Sequence, residues 1–463
     1  MSDVRAARSM RVLTLSPSIT GGGAERVALS LHEAYLRRGM DSWIAAANLN
    51  GNAVNALQVS RDTGRSAWAR TLLGPAWRLE ERSSAAEARW SRASRVLRVA
   101  AEPRRWARVA RGYEDFDFPW TPHLLELPPG APDVVHLHNL HGGYFDIRAL
   151  PGLSAQVPTI VSMHDTWLLT GHCAQPFECT RWREGCGSCP DLGRYVPIRR
   201  DASEENRDIK RRALLASRVG LAAPSRWLLS MAEQSGLLGE GREGRVIPNG
   251  VDVTLFTPGD RGAARERLGL PLDRQIVLVA AKDVRCNPYK GFDTLIEALE
   301  MVPEGVSDGL LVVALGDDGP SRPVGRFEML CVAFTDVAET IASYYQAADV
   351  FVHPSRAESF GMAPVEAMAS GTPVLVSDAG GLPEIVVSGE SGSVFAAGSS
   401  SELAIRLAEL LCDDDRRTRY SSAGVKRVAE RFTIDSQVDA YLAWYAELMD
   451  ERAAEKNGVS NAG

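Results

Sequence analysis

A chain of 463 residues exceeds what one hydrophobic core usually serves, so two domains of ordinary size are expected. Hydrophobic residues at 45% and charged residues at 24% describe a globular chain rather than a disordered or fibrous one. A net charge of −7 offers no basic excess of the kind a phosphate backbone requires, which sets nucleic acid aside as the main partner. The start, MSDVRAARSMRVLTLSPSITGGG, has too short an apolar run for a signal peptide, and no later segment reaches the roughly 18 apolar residues of a membrane span. A cytoplasmic location is expected, where thiols stay reduced.

The first apolar run, RVLTLS at 11–16, reads as a buried strand, followed by a glycine turn, Gly21-Gly22-Gly23-Ala24-Glu25-Arg26, and a helix from Glu25 to Arg38 closed by Gly39. The turn is not a dinucleotide fingerprint, because Arg26 stands where a third glycine would be needed. Its glycines allow a ligand close to the backbone and the helix N-terminus favours an anionic or hydroxyl-rich group; a plain tight turn is the competing reading.

Residues 61–112 differ from their surroundings, with thirteen arginines, five acids, and Trp68, Trp77, Trp90 and Trp106 in an alanine-rich background. The coarse expectation is an inserted helical pair. Either it lies on an anionic membrane surface, or it is a solvated arginine face with tryptophans buried at home.

Further strands are expected at DVVHLH (133–138), TIVSMH (159–164) and VGLAAPS (219–225), with His164 and Asp165 at the end of the second. Four of the seven cysteines follow directly, Cys173, Cys179, Cys186 and Cys189, spaced C-x5-C-x6-C-x2-C. Four thiolates around zinc would make a closed, structural shell with no position for a reacting water. Disulfides and free thiols remain open, and His172 is a spare ligand. The segment 246–262, rich in Pro, Gly and Asp, is the expected seam between a first domain, 1–250, and a second, 251–432.

The second half repeats the pattern: strands at 276–281, 310–315, 349–353 and 372–377, helices from Phe292 to Leu299 and from Val337 to Ala347. Strand-then-helix order on both sides of the seam predicts an α/β chain of two doubly wound, Rossmann-like domains facing a central cleft. In HPSRAESFGMAPVEAMASGTPVL at 353–375, Glu358 lies in a loop at the C-terminal end of a strand and Glu366 two turns into the next helix. Carboxylates accept paired sugar hydroxyls, and Ser359, Phe360 and Gly361 present backbone N–H groups suited to phosphate. Lys290, before Gly291, and Arg285 or Lys282 add cations that could steady a departing diphosphate, with Arg285 slightly favoured over Lys282. The last helical stretch, Ile434 to Asp450, carries Tyr441, Trp444 and Tyr445 at helical spacing and could pack on either domain; within 433–463 the final AAEKNGVSNAG is expected to fray.

Taken together, GGGAER at 21–26, MHD at 163–165, IPNGVD at 247–252, KGFDTLIEAL at 290–299 and the E-x7-E spacing from Glu358 to Glu366 resemble a family-four glycosyltransferase of the GT-B fold, over about residues 10–432. The resemblance implies a hexosyltransferase-type enzyme that moves a sugar from a nucleotide donor to a glycan, lipid-linked or small-molecule acceptor, with retention and without a catalytic metal or other catalytic cofactor. By it, Glu358 binds donor-sugar hydroxyls, Glu366 the ribose and Lys290 the diphosphate. His164 lies at the reacting centre, Asp165 either orients it or is a hydrogen-bonded loop carboxylate with no catalytic part, and Gly22 and Gly23 line the acceptor side. A cysteine-rich loop after the His-Asp step is similar to a subgroup feature. Two other classes compete: a nucleotide-sugar-binding module without turnover, and a membrane-surface component of polysaccharide assembly resting on 61–112.

Overall fold

The computed structural model describes residues 10–60, 62–82, 88–239, 244–307, 309–324 and 327–460. In the first half, short Val-, Ile-, Leu- and Ala-rich runs form β1 (Arg11–Ser18), β2 (Asp41–Asn48), β3 (Ala56–Gln58), β4 (Val134–His138), β5 (Thr159–Ser162), β6 (Val219–Ala223) and β7 (Gly244–Val246). They make one parallel sheet in the order β3-β2-β1-β4-β5-β6-β7. Alternate residues enter opposite cores: Leu13, Leu15, Val135, Leu137 and Val161 go to one, and Val12, Val134 and Ile160 to the other. Helices must cover both faces, which is why these strands read as continuous apolar runs rather than as alternation.

The second half builds β8 (Ile276–Ala280), β9 (Leu311–Leu315), β10 (Arg322–Val324), β11 (Phe327–Val332), β12 (Val350–His353), β13 (Val374–Ser377) and β14 (Ser393–Phe395). Their order is β10-β11-β9-β8-β12-β13-β14, parallel except for the β10–β11 pair. Each sheet therefore reverses its strand order at one place, between β1 and β4 in the first and between β8 and β12 in the second. Such switch points open a crevice beyond the carboxyl ends of the strands.

The arginine- and tryptophan-rich insert forms three helices, α2 (Ala67–Arg82), α3 (Ala88–Ala101) and α4 (Pro103–Ala110), which follow α1 (Gly23–Arg37) in the chain. Buried Ala69, Leu73 and Ala101, with Leu72 and Trp77 against them, form a small core of their own. Trp68 is 62% exposed; the side chain of Trp90 lies outside the described residues.

The terminal helix Ile434–Ser460 returns to the first domain. Ile434, Val438, Tyr441, Trp444 and Tyr445 pack with Val12, Leu31, Tyr35, Val134 and Ile160. Gly220 in β6 is the complement of this face, since a Cβ there would stand 2.5 Å from Trp444 Cζ2. Three polar contacts fix the register: Tyr445 Oη lies 3.0 Å from Tyr35 Oη and 2.7 Å from His136 Nδ1, and Tyr441 Oη lies 2.7 Å from Ser162 Oγ. The helix is described as far as Ser460, and residues 461–463 lie outside the described residues. A bridge between Val251 and Thr433 ties its start to the seam.

Candidate functional site

Loops from both switch points meet in a cleft of about 330 Å3 lined by Gly21, Gly22, Gly23, Arg26 and His164 from the first domain and by Lys282, Lys290, Glu358, Ser359, Phe360, Gly361 and Glu366 from the second. Residues more than three hundred positions apart are thus brought together as the spacing suggests. Gly21 adopts φ +125°, and the Lys290-Gly291 pair depends on its glycine: Gly291 has φ +61°, and a Cβ there would lie 2.0 Å from the Pro354 carbonyl oxygen.

Glu358 accepts from Lys290 Nζ at 2.8 Å and lies 3.1 Å from His353 Nε2, which is itself 3.0 Å from Ser355 Oγ. Burial works against its charge, but Lys290 and His353 outweigh that cost and hold the carboxyl well below the usual carboxylate range. The result is a fixed anion beside a cation, at the mouth of the helix Met362–Ala369, where Gly361 opens the first turn with φ +116°. Ser359 is buried and bonds both ways across the cleft: its Oγ accepts from Gln175 Nε2 at 3.0 Å and its carbonyl from Ser225 Oγ at 2.7 Å.

Glu366 is buried, and its carboxylate is held by the Arg26 guanidinium and by Tyr345 Oη at 3.0 Å. Neither Arg26 nor Tyr345 was singled out from the sequence. Arg26 stands one turn into α1, just beyond the glycine loop, and that position was the available signal.

The order of the histidines corrects one expectation. Asp165 does not orient His164: its Oδ2 lies 2.7 Å from His141 Nε2 and its Oδ1 accepts from Trp167 N at 2.8 Å. Asp165 serves His141, while His164 Nε2 lies 2.9 Å from His138 Nδ1, the two rings stacked at 5.2 Å. Burial pushes His164 down to about 4, so its imidazole is neutral at ordinary pH. His141 moves the other way, because Asp165 outweighs the effect of burial. His138, at the end of β4, is a further site residue that the HLH pattern at 136–138 could have disclosed.

The two candidate second cations separate clearly. Lys282 lines the cleft, with its ammonium 5.6 Å from the Phe334 ring centroid. Arg285, the one favoured from the sequence, is turned onto Asp317, whose Oδ1 accepts from Nη2 at 2.7 Å. A carboxylate one strand away claims that guanidinium.

Ala174 and Gln175 of the cysteine-rich loop line a space beside Lys290 and Glu358. Cys173, Cys179, Cys186 and Cys189 are all free thiols. Among the described residues no group of three or more His, Cys, Asp or Glu side chains is arranged to hold a metal ion. His172 Nε2 lies 3.3 Å from Cys189 Sγ, and Gly171 N donates to Cys186 Sγ at 3.2 Å. Burial pushes the Cys173 thiol up to about 11 and raises Cys186 and Cys189, so these are protonated thiols and poor nucleophiles. Buried Lys210 secures the segment just before the loop, its Nζ donating to Glu114 at 2.7 Å and to the Trp167 carbonyl at 2.9 Å. The loop reaches the second domain through Gln175 and through Phe177, stacked on Tyr289 at 5.1 Å.

Residues 21–255 match the family described as Glycosyltransferase Family 4, and residues 260–427 that described as Glycosyl transferases group 1. The D-inositol 3-phosphate glycosyltransferase of Xylanimonas cellulosilytica is 38% identical over 225 residues, 45% of this chain and 52% of that one. That of Geodermatophilus obscurus is 35% identical over 224 residues, 45% and 48% of the two chains. The chain spans about half the length of the curated relatives it matches. Among solved structures, sucrose-phosphate synthase from Thermosynechococcus elongatus superposes with a TM-score of 0.63 at 18% identity, covering 96% of this chain and 100% of that one. Anabaena HepE in complex with UDP-glucose gives 0.59 at 18% identity, with 96% and 100% covered. These two likenesses carry the fold.

Proposed function

The chain belongs to glycosyltransferase family 4 and has the GT-B fold, and from that premise we propose that it moves a sugar from a nucleotide-diphosphate sugar to a glycan, lipid-linked or small-molecule acceptor, with retention and without a catalytic metal. The observation that carries this reading is the convergence of Glu358, Lys290, Lys282, the first turn of helix Met362–Ala369 and Glu366 in one cleft facing His164. The UDP-glucose complex of HepE supports a nucleotide-sugar donor for a cleft of this kind.

In this scheme Lys290, Lys282 and the N–H groups at 361–363 receive the diphosphate, a helix N-terminus being a ready anion site. Glu358, kept ionised, accepts hydroxyls of the donor sugar, and ribose hydroxyls take the place of Arg26 on Glu366. The bond from the anomeric carbon to the phosphate oxygen breaks as a bond to the acceptor oxygen forms on the same face, and the acceptor's proton passes to the departing phosphate oxygen. Charge then develops where the two lysines and the helix end already point, so positioned protein groups supply the stabilisation. Neutral His164 contributes hydrogen bonds at the reacting centre rather than a charge.

Turnover of a panel of labelled nucleotide sugars by the wild type and by Glu366→Ala tests this. The variant should stay folded and lose measurable turnover; undiminished turnover would remove the donor-site assignment. A thermal-shift panel of nucleotide diphosphates identifies the base, since a ligand at 100 times its dissociation constant stabilises by about 2.7 kcal/mol.

A further inference from the structure

A second cavity, of about 570 Å3, lies in the first domain between the insert helices and the carboxyl ends of β1 and β2. Ligand sites usually fall between about 300 and 1,000 Å3. Pro17 and Ser18 line it, while Gly21, Gly22 and Gly23, only a few residues on, line the donor cleft, so one loop separates the two spaces. Another wall, Tyr144, brings its hydroxyl within 3.0 Å of the carbonyl oxygens of His138 and Asn139, one ring away from His164.

The walls are aromatic: Trp77, Trp106, Phe118, Trp120 and Tyr144. Trp120 is satisfied, donating its Nε1–H to the Tyr144 carbonyl at 2.7 Å. Trp106 is not. Its Nε1 is buried with no hydrogen-bond partner, and a native structure rarely leaves such a donor unused. Arginines line the cavity as well, but the guanidinium of Arg105 is spent on Asp115 at 2.8 and 2.6 Å and on Glu102 at 2.7 Å, and Arg65 also pairs with Glu102. Ion pairs made within the wall do not call for a phosphate; their remaining lone pairs suit hydroxyls. Ring faces beside hydrogen-bonding edges match a pyranose, which has an apolar C–H face and a polar equatorial rim.

We propose that this cavity binds pyranose rings of the acceptor, with Trp106 donating to a ring or hydroxyl oxygen and Trp77 stacking on a sugar face, and that the insert therefore selects the acceptor as a glycan. The proposal rests on the transferase reading for the word acceptor, but the site is testable without it.

Full-length chain, with no donor present, is titrated with a panel of oligosaccharides of glucose, galactose and mannose and with uronate-containing counterparts, following tryptophan fluorescence and heat of binding. At least one series should bind. Trp106→Phe, which keeps a ring and removes the N–H, and Trp77→Ala should each weaken it tenfold or more, while the thermal shift with UDP or GDP stays as in the wild type and attests folding. Absence of binding by every oligosaccharide overturns the proposal, as does equal binding by both variants or binding that is lost with Glu358→Gln instead. A chain that binds glycan through Trp106 yet turns over no nucleotide sugar keeps this site and loses the transferase reading.

Discussion

Replacing His164 by asparagine removes a group whose protonation the folded chain disfavours. Burial pushes its imidazole down to about 4 from an ordinary 6.5. Between those values the unfolded chain binds a proton that the folded chain does not, so stability rises with pH there, is complete above about 6.5, and is lost progressively below it. Taking the protein from about pH 7.5 to about pH 5 should cost about 2 kcal/mol through this group alone, from the proton-uptake difference integrated over the window. His136, pushed down to about 3 by burial and by His164, adds a comparable loss. The assay is urea unfolding at the two pH values, with stability extrapolated to water. Carboxylates contribute equally to both proteins and cancel in the comparison. His164→Asn should therefore lose about 2 kcal/mol less than the wild type over the same interval. An equal loss in both would mean that His164 titrates normally, and the neutral hydrogen-bonding role proposed for it would fall with the argument.

The two candidate cations give a direct contrast. Lys282→Ala should weaken nucleotide-diphosphate binding by roughly 10- to 150-fold, the loss of one hydrogen bond to a charged group, while Arg285→Ala, already committed to Asp317, should change it little; calorimetric titration reads both, and the reverse order would restore Arg285 to the site. Arg26→Ala should destabilise the nucleotide-free protein by about 3 kcal/mol, because it strips a buried carboxylate of its charge partner. In a Glu366→Gln background the same substitution should cost far less, and additivity of the two changes in denaturant midpoint would show that the pair is not coupled.

The two-sheet architecture was legible because a strand buried on both faces must be apolar throughout, and all eight runs of that kind, from RVLTLS to TPVLVS, are strands. Strands that break the pattern went unread. β2 is DSWIAAAN, with a polar start and a run of alanines, and β11, FEMLCV, lies next to the antiparallel edge strand with Glu328 exposed. Glu358, Glu366 and Lys290 could be found because their spacing puts them at one switch point. Asp165, Arg285 and the cysteines could be located in the chain but not paired, since what each side chain meets depends on which neighbour lies closest in space. For Asp165 that neighbour is His141, for Arg285 it is Asp317, and for Cys189 it is His172. Arg26 was visible as a residue and hidden as a partner, its carboxylate lying 340 positions away.

The return of the terminal helix to the first sheet sets a timetable for synthesis. β7 ends at Val246, yet the wall formed by Tyr441, Trp444 and Tyr445 is added roughly 200 residues later, about 10–40 s at ribosomal speeds of 5–20 residues per second. Throughout that interval the face of Val12, Val134, Ile160 and Ala222 has α1 against it but lacks the aromatic wall, whereas the second domain needs no residue beyond Phe432 for its cores. The part made last should therefore be finished first. Chains truncated after Thr433 and released from the ribosome should show a protease-resistant second domain and a susceptible first one, and equal resistance of both would refute this order.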